Sequence, residues 1–334
     1  MMNIAINGFG RIGRHVFKVA MENKNIKVVA VNDLTDTKTL VHLLKYDTSY
    51  PTYDKKIEFD ESSITVGGEK IKILAEPDPT KLPWGDLKVD IVMECTGRFR
   101  DKESASSHIK AGAKKVILSA PAKGDDVPMY VRSVNCAKCS VEEATVIDNA
   151  SCTTNSIGPA MAVLEEKFGI EKGFMTTIHG YTADQNLQDG PHKDLRRARA
   201  AAENVIPTTT GAAKSVGKVI PTVKGNFDGF AIRVPVPTVS LSDMTILLKK
   251  DVTIEEINEA YKEAAKTDRF KGVLTWTDEP LVSSDFVGNT YSSTIDLNLT
   301  NVIGGNLVKV VSWYDNETGY SNRMVELAEL YIVK

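Results

Sequence analysis

The chain has 334 residues, of which 42% are hydrophobic and 25% are charged, and its formal net charge is −3. This length suffices for about two domains with separate cores. The charge excludes a broad nucleic-acid-binding surface, which needs an excess of Lys and Arg, and no apolar run approaches the roughly 18 residues of a membrane helix. The N-terminal sequence lacks the pattern of a secretion signal, which predicts a cytoplasmic location without membrane contact.

Short β-rich runs alternate with amphipathic helical patterns through the first 150 residues. Leu40, Leu43 and Leu44 are expected on one face of the second helix, and a Gly-Gly turn within residues 57–75 predicts an antiparallel hairpin. Strands that alternate with helices indicate a parallel sheet, so residues 1–150 are predicted to form an α/β, Rossmann-like nucleotide-binding domain. The predicted strands cover residues 3–7, 27–32, 89–97 and 114–122, and the predicted helices cover 11–23, 37–46 and 102–112.

Longer alternating runs follow a helical segment at residues 152–168. The runs "GFAIRVPVPTVSLSDMTILLKK" and "TYSSTIDLNLTNVIGGNLVKVVSWYD" are typical of an antiparallel sheet, because apolar and polar residues alternate along a half-buried strand. Helical patterns at residues 253–267 and 317–334 accompany them. We therefore expect a second, α+β domain with a mostly antiparallel sheet over residues 151–316.

The four cysteines, Cys95, Cys136, Cys139 and Cys152, are few for a chain of this size. Such sparse use is typical of free thiols in a reducing compartment. Cys136 and Cys139 form a C-x-x-C pair, but a structural zinc site needs four ligands and no second pair supplies the other two. The sequence therefore predicts two free thiols here and no metal site.

Gly8, Gly10 and Gly13 form the pattern G-x-G-x-x-G between the first predicted strand and the first predicted helix. Glycines at this spacing let the backbone approach a pyrophosphate, whose charge the helix N-terminus stabilises. Asp33 ends the second strand, 20 residues beyond Gly13. A carboxylate there accepts a hydrogen bond from a ribose 2′-hydroxyl and repels a 2′-phosphate, which predicts NAD rather than NADP. The alternative is a tight turn with a capping aspartate.

Cys152 stands in "NASCTTNSIGP", at the expected start of a helix. The N–H groups and dipole of a helix N-terminus stabilise a thiolate. Ser151 or Asn149 suffices to cap the helix, yet the cluster holds more hydroxyl groups than a cap needs, and such donors also suit a phosphate or an oxyanion. We expect a thiol that is ionised at neutral pH and attacks an aldehyde, giving a thiohemiacetal that hydride transfer converts to a thioester.

A nucleophilic cysteine needs a base. His179, in "TTIHGYT", ends a strand of the same domain and is the first candidate, and His192 is the second. His15 and His42 lie in helices of the first domain, and His108 is expected on a solvated helix face.

Blocks along nearly the whole chain are now recognisable. The segments "NGFGRIGR", "NASCTTN", "DLRRARAAAENVIPTTTGAAK" and "KVVSWYDNETGYSNR" resemble the phosphorylating glyceraldehyde-3-phosphate dehydrogenases of bacteria and eukaryotes, in the family's order. The resemblance implies oxidation of D-glyceraldehyde 3-phosphate with NAD+ and inorganic phosphate to 1,3-bisphosphoglycerate and NADH, a reaction of glycolysis and gluconeogenesis. It also implies that helix 317–334 packs back on the NAD-binding domain 1–150, that 151–316 is the catalytic domain, and that residues 180–203 reach a neighbouring subunit in a homotetramer.

The same resemblance implies roles for individual residues. Cys152 is the expected nucleophile and His179 the expected base. Substrate phosphate is expected at Thr182, Arg197 and Arg233. Inorganic phosphate is expected at Ser151, Thr153, Thr210 and Gly211. The implied NAD contacts are Gly8, Gly10, Arg11, Ile12, Gly13, Asp33, Thr96, Ser119, Asn316 and Tyr320.

Alternatives remain open at this stage. Arg196, Arg197 and Arg199 also fit a solvated basic helix face, whereas Arg233 lies in an apolar run where a charge needs an anionic partner. Pro77 and Gly180 depart from the residues that are common in the family, which bears on cofactor affinity and loop rigidity. Competing functions are erythrose-4-phosphate dehydrogenase activity, which would release a free acid, and a non-catalytic binding role on the same fold.

Overall fold

The computed structural model describes residues 1–136 and 144–330. These residues divide into two compact units. The first unit contains Met1–Tyr130 together with residues 144–150 and 321–330. The second unit contains residues 131–136 and Ser151–Tyr320. None of the described helices is both long and apolar enough to cross a bilayer.

The first unit is built on a sheet with eight strands among the described residues, in the order β3-β4-β5-β2-β1-β6-β7-β8. The strand pairs β5–β2, β2–β1, β1–β6, β6–β7 and β7–β8 are parallel. The pairs β3–β4 and β4–β5 are antiparallel. The strands are β1 (Met2–Asn7), β2 (Ile26–Asn32), β3 (Ile57–Phe59), β4 (Ser63–Val66), β5 (Glu69–Leu74), β6 (Ile91–Glu94), β7 (Lys115–Leu118) and β8 (Val146–Asp148). The helices are α1 (Arg11–Met21), α2 (Thr37–Lys45), α3 (Lys102–Ala105) and α4 (Ser107–Lys110).

Strand β1 is covered on both faces, because the consecutive residues Ile4, Ala5 and Ile6 are all fully buried. Successive side chains of a strand point to opposite faces, so this run is typical of a central strand in a parallel sheet. The parallel sheet and the Gly-Gly hairpin are thus confirmed, with Gly67 and Gly68 at φ 57° and 91°. The C-terminal ends of β2, β1 and β6 lie side by side, as the dinucleotide motif requires.

Three details of the first unit differ from the sequence-based expectations. Leu43 is 40% exposed, because α2 buries the face formed by Leu40, Val41 and Leu44 instead. The single helix expected over 102–112 is two short helices, α3 and α4. His108, expected on a solvated face, is 0% exposed and contacts the core.

The second unit has a sheet in the order β10-β11-β9-β12-β16-β14-β13, with β15 paired to β16. Among its described pairs only β9–β11 and β13–β14 are parallel, which confirms a mostly antiparallel sheet. Its strands are β9 (Ile170–Gly180), β10 (Ile206–Thr208), β11 (Phe227–Val234), β12 (Ser240–Leu248), β13 (Leu274–Thr277), β14 (Ser293–Asp296), β15 (Asn301–Ile303) and β16 (Leu307–Tyr314). Its helices are α5 (Cys152–Phe168), α6 (Ala212–Val219) and α7 (Ile254–Ala265), and α8 (Thr318–Glu329) continues into the first unit, where Asn23 Nδ2 donates to Glu329 Oε1 at 2.6 Å.

The expected C-x-x-C thiols need one correction. Cys136 is disulfide-bonded rather than a free thiol. Cys139 lies outside the described residues, as do residues 331–334 of the expected closing helix. Cys95 and Cys152 are free thiols.

Candidate active site

Cys152 is the first residue of α5 in the second unit. Ser151 is the N-cap, and its Oγ accepts a hydrogen bond from Thr154 N at 3.0 Å. A serine N-cap fixes the helix start because it satisfies one of the first unpaired N–H groups. The helix is anchored behind the thiol, since every residue from 153 to 164 is buried. Cys152 is therefore held at a rigid helix N-terminus, as the sequence predicts.

His179 lies opposite the thiol, with its Nε2 3.5 Å from Cys152 Sγ. The Nδ1 atom lies 2.7 Å from Gly180 O. A carbonyl oxygen can only accept, so Nδ1 carries the ring proton and Nε2 presents a lone pair to the sulfur. This is the tautomer that a base for the thiol requires. The second candidate, His192, instead accepts from Asp194 N in its own turn.

Sheet register explains how residues distant in sequence meet at this point. Strand β11 is parallel to β9 and pairs Arg233 with His179, and β12 pairs Ser240 with the same residue. Arg233 Nη1 donates to Thr182 Oγ1 at 2.7 Å and to Gly180 O at 3.2 Å. Arg233 Nη1 also lies 3.2 Å from His179 Nδ1, but this contact is not a hydrogen bond, because both atoms are donors that share Gly180 O as their acceptor. Arg233 Nε is buried without a hydrogen-bond partner in the described part of the chain.

The electrostatic setting of the pair differs from the sequence-based expectation of a thiolate stabilised by the helix. Removal from water raises the pKa of the Cys152 thiol, although the Arg233 charge and the hydrogen bonds at the helix start oppose this shift. Burial, reinforced by Arg233, lowers the pKa of His179 to about 3. Burial disfavours the charged form of each group. The helix N-terminus therefore does not outweigh desolvation at Cys152 by itself.

Two of the expected substrate-phosphate residues converge on a carboxylate that sequence reasoning missed. Asp184 accepts hydrogen bonds from Thr182 Oγ1 through Oδ1 and from Arg197 Nη1 through Oδ2. Arg197 also donates to Thr208 Oγ1 at 2.9 Å and to Thr209 O at 3.3 Å. The guanidinium is thus fixed by its neighbours, whereas Arg199 pairs with Asp189 at an exposed position, as the solvated-face alternative describes. An acidic residue two positions after Thr182 was the available signal for Asp184.

The residues expected to hold inorganic phosphate differ in exposure: Thr153 is buried, Ser151 and Thr210 are half-buried, and Gly211 is exposed. Thr153 is 4% exposed, and its Oγ1 lies 2.9 Å from Tyr314 Oη. Thr210 Oγ1 accepts from Ala212 N at 3.2 Å, and Gly211 is the N-cap of α6, which has no side-chain cap. The hydroxyl cluster thus serves the core as well as the site, because much of it faces inward.

A cleft with a volume of about 310 Å³ lies at the strand ends of the first unit. Its lining includes Asn7, Gly8, Gly10, Asn32, Asp33, Leu34, Glu76, Pro77, Cys95, Thr96 and Phe99. A Cβ on Gly8, which has φ +93°, would lie 2.7 Å from Thr96 N, and one on Gly13 would lie 2.0 Å from Gly8 O. Gly10, in contrast, faces open space and caps α1 without a side-chain bond. An uncapped helix start beside an open glycine fits a dinucleotide pyrophosphate.

The acidic residue of the motif lies at the same cleft. Asp33 Oδ2 accepts from Phe9 N at 2.7 Å, and Oδ1 accepts from Thr35 N at 3.0 Å. The carboxylate is therefore held by the glycine-rich turn and still lines the cleft, so it serves as both a turn residue and a candidate ribose ligand. Arg11, at the start of α1, pairs with Asp47 at 2.7 Å. Ile12 follows it in the first turn of the same helix.

The remaining expected cofactor residues are divided between the two units. Ser119 follows β7, and its N–H bonds to Glu94 O at 2.9 Å in the first unit. Asn316 Oδ1 accepts from Ser240 Oγ at 3.0 Å in the second unit, and Ser240 Oγ in turn accepts from Gly180 N. Asn316 is thereby tied to the strand that carries His179. Tyr320 is 4% exposed.

Two family profiles match the chain. The profile described as the NAD binding domain of glyceraldehyde 3-phosphate dehydrogenase matches residues 2–102, and the profile of its C-terminal domain matches residues 151–316. The chain belongs to the glyceraldehyde-3-phosphate dehydrogenase family. It is accordingly an NAD-dependent oxidoreductase, and NAD is its cofactor.

Curated relatives are similar along almost their full length. The chain is 56% identical over 328 residues to glyceraldehyde-3-phosphate dehydrogenase 1 of Bacillus cereus, covering 98% of both chains. It is 56% identical over 327 residues to the Geobacillus stearothermophilus enzyme, covering 98% of this chain and 97% of the relative. It is 57% identical over 335 residues to the Thermotoga maritima enzyme, covering 99% of each.

Proposed function

We propose that this chain catalyses the phosphorylating oxidation of D-glyceraldehyde 3-phosphate in glycolysis and gluconeogenesis. Cys152 Sγ adds to the aldehyde carbon, so that a C–S bond forms and the carbonyl oxygen becomes the hydroxyl of a thiohemiacetal. The hydride acceptor is the nicotinamide of bound NAD+. Loss of hydride from carbon and of the hydroxyl proton leaves a thioester on Cys152. An oxygen of inorganic phosphate then attacks this carbon, the C–S bond breaks, and 1,3-bisphosphoglycerate leaves.

We assign the proton transfers of these steps to His179. Its Nε2 lone pair faces the sulfur at 3.5 Å, so it can accept the thiol proton as the C–S bond forms. It then passes this proton to the aldehyde oxygen, which becomes the hydroxyl of the thiohemiacetal. As a free base again, Nε2 accepts the hydroxyl proton during oxidation, and it can return that proton to the sulfur when the C–S bond breaks. The lowered pKa of His179 keeps the ring neutral between reactions, which leaves Nε2 available as a base.

The two anions of the reaction need two sets of donors. We assign the substrate phosphate to Thr182, Arg197 and Arg233, because their donors converge beside His179 and guanidinium groups suit phosphate oxygens. We assign inorganic phosphate to Ser151, Thr153, Thr210 and Gly211, on the basis of the uncapped α6 start and the family resemblance.

The NAD contacts follow from the cleft of the first unit and from the resemblance. Gly8, Gly10, Gly13 and the N–H groups of Arg11 and Ile12 suit the pyrophosphate, because they surround an uncapped helix start. Asp33 suits the adenosine ribose. We assign the rest of the cofactor to Thr96, Ser119, Asn316 and Tyr320, with the Asn316 amide as the partner of the nicotinamide carboxamide.

The juxtaposition of Cys152 Sγ with the correct His179 tautomer carries this proposal. The test is NADH formation from glyceraldehyde 3-phosphate, measured with and without inorganic phosphate, for the wild-type chain and Cys152→Ser. We expect phosphate-dependent NADH formation that the variant loses by about 10⁴-fold or more, while its NAD affinity stays unchanged. Phosphate-independent NADH formation from erythrose 4-phosphate would instead favour the hydrolytic alternative, and NAD binding without turnover would favour a binding role.

We also propose a homotetramer in the cytoplasm. Phe174 on β9 and Phe230 on β11 are 71% and 47% exposed. The register pairs Phe174 with Asp228 and Phe230 with Thr176, so both rings lie on one face of the sheet. Exposed apolar patches of this kind are typical of protein interfaces. Light scattering should give the mass of four 36.5-kDa chains, and a monomer mass would contradict the proposal.

A further inference from the structure

A buried carboxylate with no part in the proposed chemistry lies beneath the cleft of the first unit. Glu94 is the last residue of β6, and its side chain is 1% exposed. A buried ionised carboxylate is costly unless several hydrogen bonds compensate for lost hydration. Glu94 therefore needs a structural or functional reason to be there.

Glu94 accepts hydrogen bonds from four donors. Its Oε2 accepts from Asn7 Nδ2 at 2.6 Å and lies 3.0 Å from His108 Nε2. Its Oε1 accepts from Thr96 N at 2.8 Å and from Thr96 Oγ1. One carboxylate thus joins the ends of β1 and β6 to the backbone that follows β6.

The tautomer of His108 follows from its second hydrogen-bond partner, Trp84. Trp84 Nε1 lies 2.9 Å from His108 Nδ1, and an indole N–H can only donate. Nδ1 is therefore the acceptor, so Nε2 carries the proton and donates it to Glu94. Trp84 and His108 are both fully buried, so bulk solvent does not reach either ring.

The opposite end of the network is fixed by backbone groups. Asn32 Oδ1 accepts from Glu76 N at 2.9 Å, and Asn32 Nδ2 donates to Glu76 O at 3.0 Å and to Asn7 Oδ1 at 2.7 Å. Backbone groups cannot exchange roles, so the orientation of the Asn32 amide is set, and through it that of Asn7. Asn7 must then donate, rather than accept, at Glu94.

These bonds form a continuous chain across the C-terminal ends of β2, β1 and β6, which are neighbours in the sheet. The donors from Asn32 through Asn7, and from Trp84 through His108, point toward Glu94. Asn7, Asn32, Glu76 and Thr96 all line the cleft. The Gly8 turn also lies against Thr96, because a Cβ on Gly8 would be 2.7 Å from Thr96 N. A shift of Thr96 would therefore move the floor of the cleft.

We propose that Glu94 is a positioning residue for NAD. Its buried carboxylate accepts hydrogen bonds from both ends of this hydrogen-bonded network and thereby fixes Asn7 and Thr96 at the cleft floor. It acts through those neighbours and does not touch the cofactor. His108, held as the Nε2–H tautomer by Trp84, completes the set of donors. The inference rests on NAD as the cofactor of this family and is independent of the roles proposed for Cys152 and His179.

Glu94→Gln tests the proposal because it preserves shape and removes only the charge and one acceptor. The new amide can keep an oxygen toward Thr96, but its NH₂ group then meets two donors, Asn7 Nδ2 and His108 Nε2. Calorimetric titration of NAD into the variant should give a Kd at least about tenfold higher than wild type, the factor expected when one or both of these buried donors are left unsatisfied. The kcat at saturating NAD should stay within about twofold. Glu103→Gln, a matched change at an exposed position, should leave the Kd unaltered.

A double variant separates positioning from mere stability. In Glu94→Gln with Asn7→Asp, the donor and acceptor exchange places and the net charge is that of the wild type, so the Kd should recover by at least about threefold over Glu94→Gln alone. If Glu94→Gln lowers the unfolding midpoint but binds NAD like wild type, the carboxylate is only structural and the proposal is wrong. Absence of recovery in the double variant also contradicts it.

A second pair of variants decides the matter should Glu94→Gln fail to fold. His108→Gln keeps an N–H toward Glu94, whereas His108→Leu removes it. The NAD Kd should be at least about threefold higher for His108→Leu than for His108→Gln. Equal Kd values for these two variants would overturn the inference.

Discussion

In the first unit the polar groups at the strand ends donate inward to one buried carboxylate, whereas in the second unit they surround two guanidinium groups. Glu94 is the hydrogen-bond acceptor that fixes the cleft floor. Arg233 lies beside His179 and its charge acts on the Cys152 thiol, whereas Arg197 pairs with Asp184. One region is thus preorganised around an internal anion, and the other keeps positive charge for anions that arrive with the reaction.

This difference separates binding from chemistry. Substitutions at the Glu94 network should change NAD affinity and spare the reactive groups, whereas substitutions around Cys152 should change turnover and spare NAD affinity. The predictions below test the second half of that comparison, and the first of them combines a kinetic measurement with an NAD titration.

After Cys152→Ser, His179→Asn should have the largest effect. The amide cannot take up the proton of Cys152, so kcat should fall by about 10²- to 10⁴-fold, the usual contribution of a general base. The NAD Kd, measured calorimetrically, should stay within about twofold. His192→Asn, which changes a histidine of a turn that the structure does not bring to the thiol, is the matched control. A loss of NAD affinity equal to the loss of kcat would show that the two regions are not separable.

The contrast between the regions also explains how far the sequence could be read. Gly8, Gly10, Gly13 and Asp33 are predictable because backbone approach and a strand end impose a local spacing. Cys152 is predictable from its helix start. The contact of His179 with Arg233 depends instead on the parallel pairing of β9 with β11, which local patterns do not encode.

The failures have the same origin. His108, predicted on a solvated helix face, is buried, and its tertiary partners Trp84 and Glu94 explain that burial. The thiolate expected at Cys152, from the helix N-terminus and a histidine base, takes no account of the desolvation that raises the thiol pKa. Burial is a property of the assembled fold, so a motif of a few residues cannot report it.

Arg233→Leu should have the next largest effect and tests the electrostatics of the thiol. The Arg233 charge lowers the pKa of Cys152 against the opposing effect of burial. Its removal therefore raises that pKa, so a smaller fraction of the sulfur is thiolate at any pH below it. Alkylation of Cys152 by iodoacetamide at pH 7 should slow by about tenfold, which corresponds to roughly one pKa unit.

Arg233→Lys provides the control, because it keeps the charge and loses the planar donor geometry. Alkylation should then stay within about threefold of wild type, while the KM for glyceraldehyde 3-phosphate rises. If both variants are alkylated at the wild-type rate, the guanidinium does not act on the sulfur and its role is confined to the substrate phosphate.

Asp184→Asn should have the smallest effect, and it should improve rather than impair the enzyme by lowering the KM for its substrate. Thr182 has one hydroxyl proton, which it donates to Asp184, and Arg197 Nη1 also donates to this carboxylate. A substrate phosphate must compete for both donors and approach a like charge. The neutral amide removes the repulsion, so the KM for glyceraldehyde 3-phosphate should fall by about threefold. The KM for unphosphorylated glyceraldehyde should not change, since that substrate places no anion there. A higher KM for the phosphorylated substrate would mean that Asp184 orients Arg197 for binding rather than competing with the ligand, and the second unit would then also rely on an internal anion for preorganisation.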